Sequence, residues 1–207
     1  MVTVTDISFM RSSACVTLDN GDQFWFRRDD LSSAGFREGA SFEKEDFLQH
    51  VRLLQYPRAL NHAVSMLARR PCSTGEIRSR LLRLRYTEEV ADLVLYKLDK
   101  EKLLDDADFC LQWIRSRTAR RYGPAVIQRE LRMKGISEDM IETAFEQAGE
   151  NGEEDNALAL ARKAWKRIRP GGDVRKDRQK VISSLVRKGY DWDTARYACD
   201  AAEREQE

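Results

Sequence analysis

A mainly α protein is what this chain of 207 residues predicts, built of tandem three-helix repeats in an elongated array with a small N-terminal β-hairpin extension. Three observations carry that expectation. A degenerate motif recurs about every 50 residues, the mark of one supersecondary unit copied along a chain. It reads Ile77-x3-Leu81-x3-Arg85-Tyr86, then Ile127-x3-Leu131-x3-Gly135-Ile136, then Val181-x3-Leu185-x3-Gly189-Tyr190. Helix caps punctuate each copy. The first stretch of chain instead has the alternation and turn chemistry of strands.

The strands come first. Val2-Thr3-Val4-Thr5 and Ala14-Cys15-Val16-Thr17-Leu18 favour extended backbone, and Gln23-Phe24-Trp25-Phe26 reads as a return strand. Asn20-Gly21 between the last two supplies the positive φ angles of a tight hairpin turn. A two- or three-stranded sheet is marginal alone, so it should pack on the helices through Phe24, Trp25 or Phe26. A short helix is predicted over 29–34, Gly35 and Gly39 mark a linker, and 41–44 start a long helix. The predicted boundaries are 1–48 for this extension and linker, then 49–104, 105–150 and 151–207 for the three repeats.

In the first repeat, Leu60, Val64 and Leu67 form a helical stripe that Pro71 ends. Ser73-Thr74-Gly75-Glu76 is a capping box opening a helix with Ile77, Leu81 and Leu84 inward. Thr87 caps the third helix, where Val90, Val94, Leu95 and Leu98 face the core.

The second repeat uses the same grammar. Asp105, Asp106 or Asp108 caps a helix carrying Phe109, Trp113 and Ile114. Gly123-Pro124 starts the next, since proline suits the first helical position. Ile127 and Leu131 face inward, Gly135 permits a left-handed C-cap, and Ser137 caps a helix with Met140, Ala144 and Phe145. The third repeat has a first helix over 157–168 with Leu158, Ala161 and Trp165, a turn at Pro170-Gly171-Gly172, and Asp191 as the last cap. The acidic stretch 149–155 is the predicted hinge.

A hydrophobic content of 42% supports a real core. Charged residues make up 34%, above the roughly 25% of an average domain, so much side-chain area stays solvated. The net charge of +1 conceals blocks: −4 over 1–51, +8 over 52–135, −8 over 136–160, +9 over 161–188 and −4 over 189–207. The basic blocks hold the candidate site. Arg78 and Arg83 lie on the second helix of repeat one. Arg115, Arg117, Arg120 and Arg121 end the first helix of repeat two, and Arg129, Arg132 and Lys134 follow on the next. Lys163, Lys166 and Arg167 lie in repeat three, among the further cations Arg162, Arg169, Arg175, Lys176, Arg178 and Lys180. Arginine dominates, and its planar fork suits phosphate and carboxylate. A polyanion or acidic partner is one reading; a solvated face neutralised by the acidic helices is the other.

Catalytic chemistry is sparse. His50 and His62 have no nucleophile motif beside them. Asp105-Asp106-x-Asp108 lacks Ca²⁺-loop spacing and reads as helix capping. No phosphate-cradling glycine motif occurs, and Trp113 and Trp165 read as core. Cys15, Cys72, Cys110 and Cys199 form no metal-ligand spacing and read as reduced thiols of a cytoplasmic protein. No cofactor, metal, secretory signal or membrane span is expected.

Leu67-Ala-Arg69-Arg70-Pro-Cys-Ser73-Thr-Gly-Glu76-Ile77-x3-Leu81, then Leu103-Leu104-Asp105-Asp106-x2-Phe109, then Gly123-x3-Ile127-x2-Glu130-Leu131-x2-Lys134-Gly135-Ile136 together resemble the bacterial RecX regulatory proteins, over about 57–200. The resemblance implies a curved array and a non-enzymatic, monomeric modulator of the RecA recombinase. Such a protein binds in the groove of the RecA–DNA filament and inhibits strand exchange and ATP hydrolysis. Single- or double-stranded DNA is the alternative partner, for a protein acting alone. Two features depart from the pattern: the hairpin lies outside the shared repeats, and Arg85 stands where that turn usually has glycine.

Overall fold

A computed structural model describes residues 1–31, 34–149, 152–168 and 172–205. The chain divides into two compact units, Met1–Asp105 and Asp106–Glu207.

The first unit opens with an antiparallel sheet of order β3-β2-β1-β4, from β1 (Val2–Phe9), β2 (Ser13–Leu18), β3 (Gln23–Arg27) and β4 (Ser41–Phe42). The β2–β3 loop is one residue longer than the two-residue turn that Asn-Gly suggests. Gly21 N donates to Leu18 O at 2.9 Å, and Gly21 (φ +86°) alone takes positive φ while Asn20 does not. That is the three-residue hairpin, in which one left-handed residue follows an ordinary turn.

Two expectations need correction. Residues 41–44 do not begin a helix: Val2 pairs with Phe42 and Thr3 with Ser41, so 41–42 are a fourth strand, and α1 starts at Lys44. An open edge on β1 outcompetes local helix preference here. The predicted helix at 29–34 is a single 3-10 turn, Arg28–Asp30; positions 32–33 of that prediction lie outside the described residues.

Helix α1 (Lys44–Leu67) serves two cores. Its buried residues Phe47, Val51, Gln55, Ala59 and Ala63 recur every fourth position and form one ridge. Phe47 and Val51 close the core under the sheet with Val4, Val16, Phe26 and Phe36. Phe24 meets Phe47 edge-on at 5.0 Å. Ala59 and Ala63 close a second core with Ile77 and Leu81 of α2 (Thr74–Arg83) and Val90, Val94 and Leu98 of α3 (Glu88–Lys100). The expected stripe of Leu60, Val64 and Leu67 is therefore displaced. Small alanines sit at closest approach, Leu60 and Leu67 fill the margins, and Val64 is 44% exposed.

Gln55 stands between the two cores and is only 2% exposed. Its Nε2 donates to Trp25 O at 2.8 Å and its Oε1 accepts from Thr87 N at 3.0 Å. One buried amide thus ties the sheet to the start of α3 with both ends satisfied, the condition for burying a polar group cheaply.

The second unit holds α4 (Asp106–Ala119), α5 (Pro124–Met133), α6 (Glu138–Ala148), α7 (Glu153–Trp165), α8 (Val174–Arg187) and α9 (Trp192–Arg204). Phe109, Cys110, Ile114, Ile127, Leu131, Ile141 and Ala144 make one core. Ala157, Ala161, Trp165, Val181, Leu185, Tyr190 and Ala198 belong to the other. Helix α7 starts four residues before the predicted 157, its first turn carrying Glu153, Glu154 and Asp155, which suit the positive end of the helix dipole.

The caps follow the reading closely. Glu76 N donates to Ser73 Oγ at 3.1 Å while Ser73 N donates to Glu76 Oε2 at 3.3 Å. Val90 N donates to Thr87 Oγ1 at 3.3 Å and Thr194 N to Asp191 Oδ1 at 2.9 Å. Ser137 occupies its N-cap position without a side-chain bond, and α8 is capped by Asp173. The predicted turn at 170–172 and hinge at 149–155 fall partly outside the described residues, at 170–171 and 150–151.

Candidate polyanion-binding face

The two repeats of the second unit join end to end at two glycines. Gly123, the N-cap of α5, donates its N–H to Lys188 O at 2.9 Å, and Ala125 N donates to Gly189 O at 3.1 Å. The unsatisfied N–H groups that begin α5 therefore meet the unsatisfied carbonyls that end α8. Pro124 between them has no N–H to place. A Cβ on Gly123 would sit 2.4 Å from Gly189 C, and one on Gly189 would sit 2.6 Å from Val126 N. Tyr190 adds a bond from its hydroxyl to Arg121 O at 3.2 Å.

A row of cations and rings runs to this junction. Phe109 and Trp113 stack at 5.9 Å on α4. Lys134 Nζ lies 4.0 Å from the Trp113 ring centre, and the Arg117 guanidinium lies 4.5 Å from it. Arg117 also reaches Tyr122 at 5.4 Å, and Lys188 Nζ lies 3.9 Å over the same ring. Glu130 holds the middle: its Oε2 accepts from Trp113 Nε1 at 2.9 Å and lies 2.7 Å from Arg117 Nε. Ring faces carry negative potential, so each cation is held by attraction as well as by packing.

Ion pairing sorts the predicted residues into two groups. Arg78 pairs with Asp92 and, at 3.6 Å, with Glu88. Arg117 is held as above, and Arg132 makes a fork with Glu138, its Nε at 2.6 Å. The hydrogen bonds of that fork hold Glu138 below the ordinary carboxyl range and push Arg132 up. Lys134 is laid on Trp113, and Arg83 Nε donates to Ser79 O at 3.4 Å. Arg115, Arg120, Arg121, Arg129, Lys163, Lys166 and Arg167 are exposed and their side chains enter no ion pair among the described residues. Arg120 and Arg121 lie in the turn after α4, with Arg121 in the left-handed region at φ +58°, and bonds to Arg117 O and Thr118 O of that helix's last turn fix their backbone.

The structure thus brings Arg117 and Lys134 together at Trp113 and adds Lys188 and Tyr122, neither of which was a candidate from sequence. Trp113 and Arg117 at i and i+4 were a visible local signal. Lys188 had none, because its ring partner is 66 positions away in the chain. Among the described residues, no hydrogen bond, ion pair or ring contact links Lys163, Lys166 and Arg167 to this row. Among the other cations, Arg162 pairs with Glu205 at 2.6 Å and Arg178 with Asp200 and Glu203, while Arg169 lies outside the described residues.

Among the described residues, no group of three or more His, Cys, Asp or Glu side chains is placed to hold a metal. No helix is long and apolar enough to cross a membrane. All four cysteines are buried and form no disulfide among the described residues, and burial pushes the Cys110 thiol up to about 11.

Comparison with known proteins decides the family. The models of the first, second and third RecX three-helix domains match residues 59–98, 105–144 and 152–199. A regulatory protein RecX of Prosthecochloris aestuarii is 36% identical over 146 residues, spanning 69% of this chain and 92% of that protein. The chain belongs to the RecX family. RecX of Halorhodospira halophila is 34% identical, over 70% of this chain and 88% of its own length. RecX of Mycobacterium avium is 30% identical, over 68% and 84%. Each is named as a regulatory protein rather than an enzyme. A crystal structure of regulatory protein RecX shares the fold at TM-score 0.64 with 23% identity, covering 97% of this chain and all of that one. RecX from Lactobacillus salivarius superposes at TM-score 0.63 with 22% identity, over 72% and 97%. The three family models begin at 59, so the sheet and most of α1 lie outside them.

Proposed function

We propose that this protein binds the RecA nucleoprotein filament and inhibits strand exchange and ATP hydrolysis, and so modulates DNA recombination, repair and the SOS response as a cytoplasmic monomer. Membership of a family of regulatory proteins supports a protein target. The observation that carries the reading furthest is the set of exposed Arg115, Arg120, Arg121 and Arg129 on α4, the turn after it and α5, whose side chains enter no ion pair among the described residues. Guanidinium groups without an internal carboxylate partner are available to phosphate or to acidic side chains of a protein.

The test is the single-stranded-DNA-dependent ATPase of RecA with increasing protein. Inhibition is expected, and Arg120→Glu with Arg121→Glu should relieve it while circular dichroism stays unchanged. No inhibition at several-fold excess over RecA overturns the proposal.

The same four arginines also favour a second reading, direct DNA binding without RecA. On single strands each neutralised phosphate contributes a slope of about −0.7 in log affinity against log salt, so four contacts give roughly −3. Tight binding to bare DNA with that slope, and no effect on RecA beyond competition for DNA, would establish the second reading instead.

A further inference from the structure

Away from the α4–α5 row, a cleft of about 270 Å³ lies between the N-terminal sheet and repeat one. Three arginines from three elements line it: Arg27 from β3, Arg58 from α1 and Arg85 from the turn after α2. One lining carboxylate, Asp30, opposes them. Arg58 pairs with it at 2.9 Å, and Arg27 pairs with the exposed Asp29 at 3.3 Å, a solvated contact that a phosphate can displace. Among the described residues Arg85 meets no carboxylate: its guanidinium lies 5.4 Å from the centre of the Trp25 ring at the same cleft. Its backbone is left-handed at φ +67°, where glycine is the easy choice, so this turn holds a cation in a strained position. Gln55 forms part of the wall, and its two amide bonds make that wall rigid.

A guanidinium without a carboxylate partner, at a concave space that two further arginines line, is the chemistry that recognises phosphate. The volume is below the roughly 300–1,000 Å³ of sites that enclose a drug-sized ligand, so it admits a phosphate and the group next to it, not a long segment. We propose that this cleft is a phosphate-binding site, with Arg85 and Arg27 as the ligand-holding cations and Trp25 as its flat wall. The phosphate comes either from a free polyphosphate or nucleotide or from the backbone of a nucleic-acid strand.

The full-length protein is titrated with inorganic pyrophosphate, ATP without metal, and an oligothymidylate, at low salt, following tryptophan emission. Trp25 reports on the cleft, and Trp25→Phe should abolish the change. Arg85→Gly keeps the turn's backbone preference, so the fold is retained while the cation is removed. This variant and Arg27→Gln should each weaken binding at least about ten-fold, the effect of one charge-assisted hydrogen bond. Lys44→Gln, at the exposed start of α1, should not alter the response. Saturation by pyrophosphate or ATP identifies a free ligand, and a response to the oligonucleotide alone identifies a strand. No saturable response to any probe, or one that survives in Arg85→Gly with Arg27→Gln, overturns the proposal. RecA is absent throughout, so the outcome is independent of the filament reading.

Discussion

The turn that closes the second helix of a repeat is built alike in repeats one and three, yet with opposite residues. In repeat one, Arg85 N donates to Leu82 O at 2.9 Å and Tyr86 N to Leu81 O at 3.2 Å. In repeat three, Gly189 N donates to Val186 O at 2.9 Å and Tyr190 N to Leu185 O at 3.3 Å. Both are the same C-terminal motif with a left-handed residue after the cap, at φ +67° and +97°. What differs is the neighbour. Val126 and Gly123 of α5 press against Gly189 so closely that no Cβ fits. At Arg85 the neighbour is Trp25, whose ring accepts a cation. What recurs along this chain is therefore a backbone conformation. The residue that adopts it is set by what docks against the turn.

The largest expected break in that comparison is Gly189→Ala. The added Cβ meets backbone at 2.6 Å and the backbone is left-handed. Overpacking and left-handed strain together cost about 2–5 kcal/mol, read as loss of stability in urea unfolding. A loss under 1 kcal/mol would mean that the two repeats part easily at this junction.

The second test uses the tyrosines that follow each turn. Burial pushes the Tyr190 phenol up to about 12, and its hydroxyl donates to Arg121 O. The folded state thus favours the protonated phenol. That stability is fully present below the unfolded value near 10 and is lost as pH rises from there through about 12. The difference corresponds to about 3 kcal/mol, and Tyr190→Phe should flatten the alkaline fall in stability. An unchanged alkaline limb would exclude Tyr190 as its source. Tyr86 is also raised by burial, but Arg58 opposes the shift, so Tyr86→Phe should alter the limb less.

The smallest effect belongs to Arg85→Gly. Removing left-handed strain gains about 1–2 kcal/mol, and losing the ring contact forfeits about 0.5–1 kcal/mol. The melting temperature should hold or rise slightly, opposite in sign to Gly189→Ala. A marked fall would show that Arg85 clamps the sheet onto repeat one more strongly than its single ring contact implies.

Much of this was legible because it is local. The capping box at Ser73 and Glu76 spans three residues, and Ile77 with Leu81 spans one turn, so short-range chemistry announces both. The strand at Ser41–Phe42 was not legible, since its formation depends on the open edge of β1, about 40 positions earlier. Nor was the ridge Ala59–Ala63, because hydrophobicity ranks leucine above alanine while helix packing prefers the smaller residue at closest approach. The candidate site divides the same way. Its basic character was plain from composition, but which arginines remain unpaired was not.

The sequence by itself determined the three-helix grammar, its caps, the strand character of the first segment and the alternation of charge. Each of these depends on residues within about one or two helical turns of one another. Only the tertiary structure decided that Glu130 and Glu138 occupy Arg117 and Arg132 while Arg120 and Arg121 stay open. It also decided that Gly189 is compulsory where Arg85 is not. Charge pairing and close approach act through space, and the partner that settles them arrives from another element of the fold.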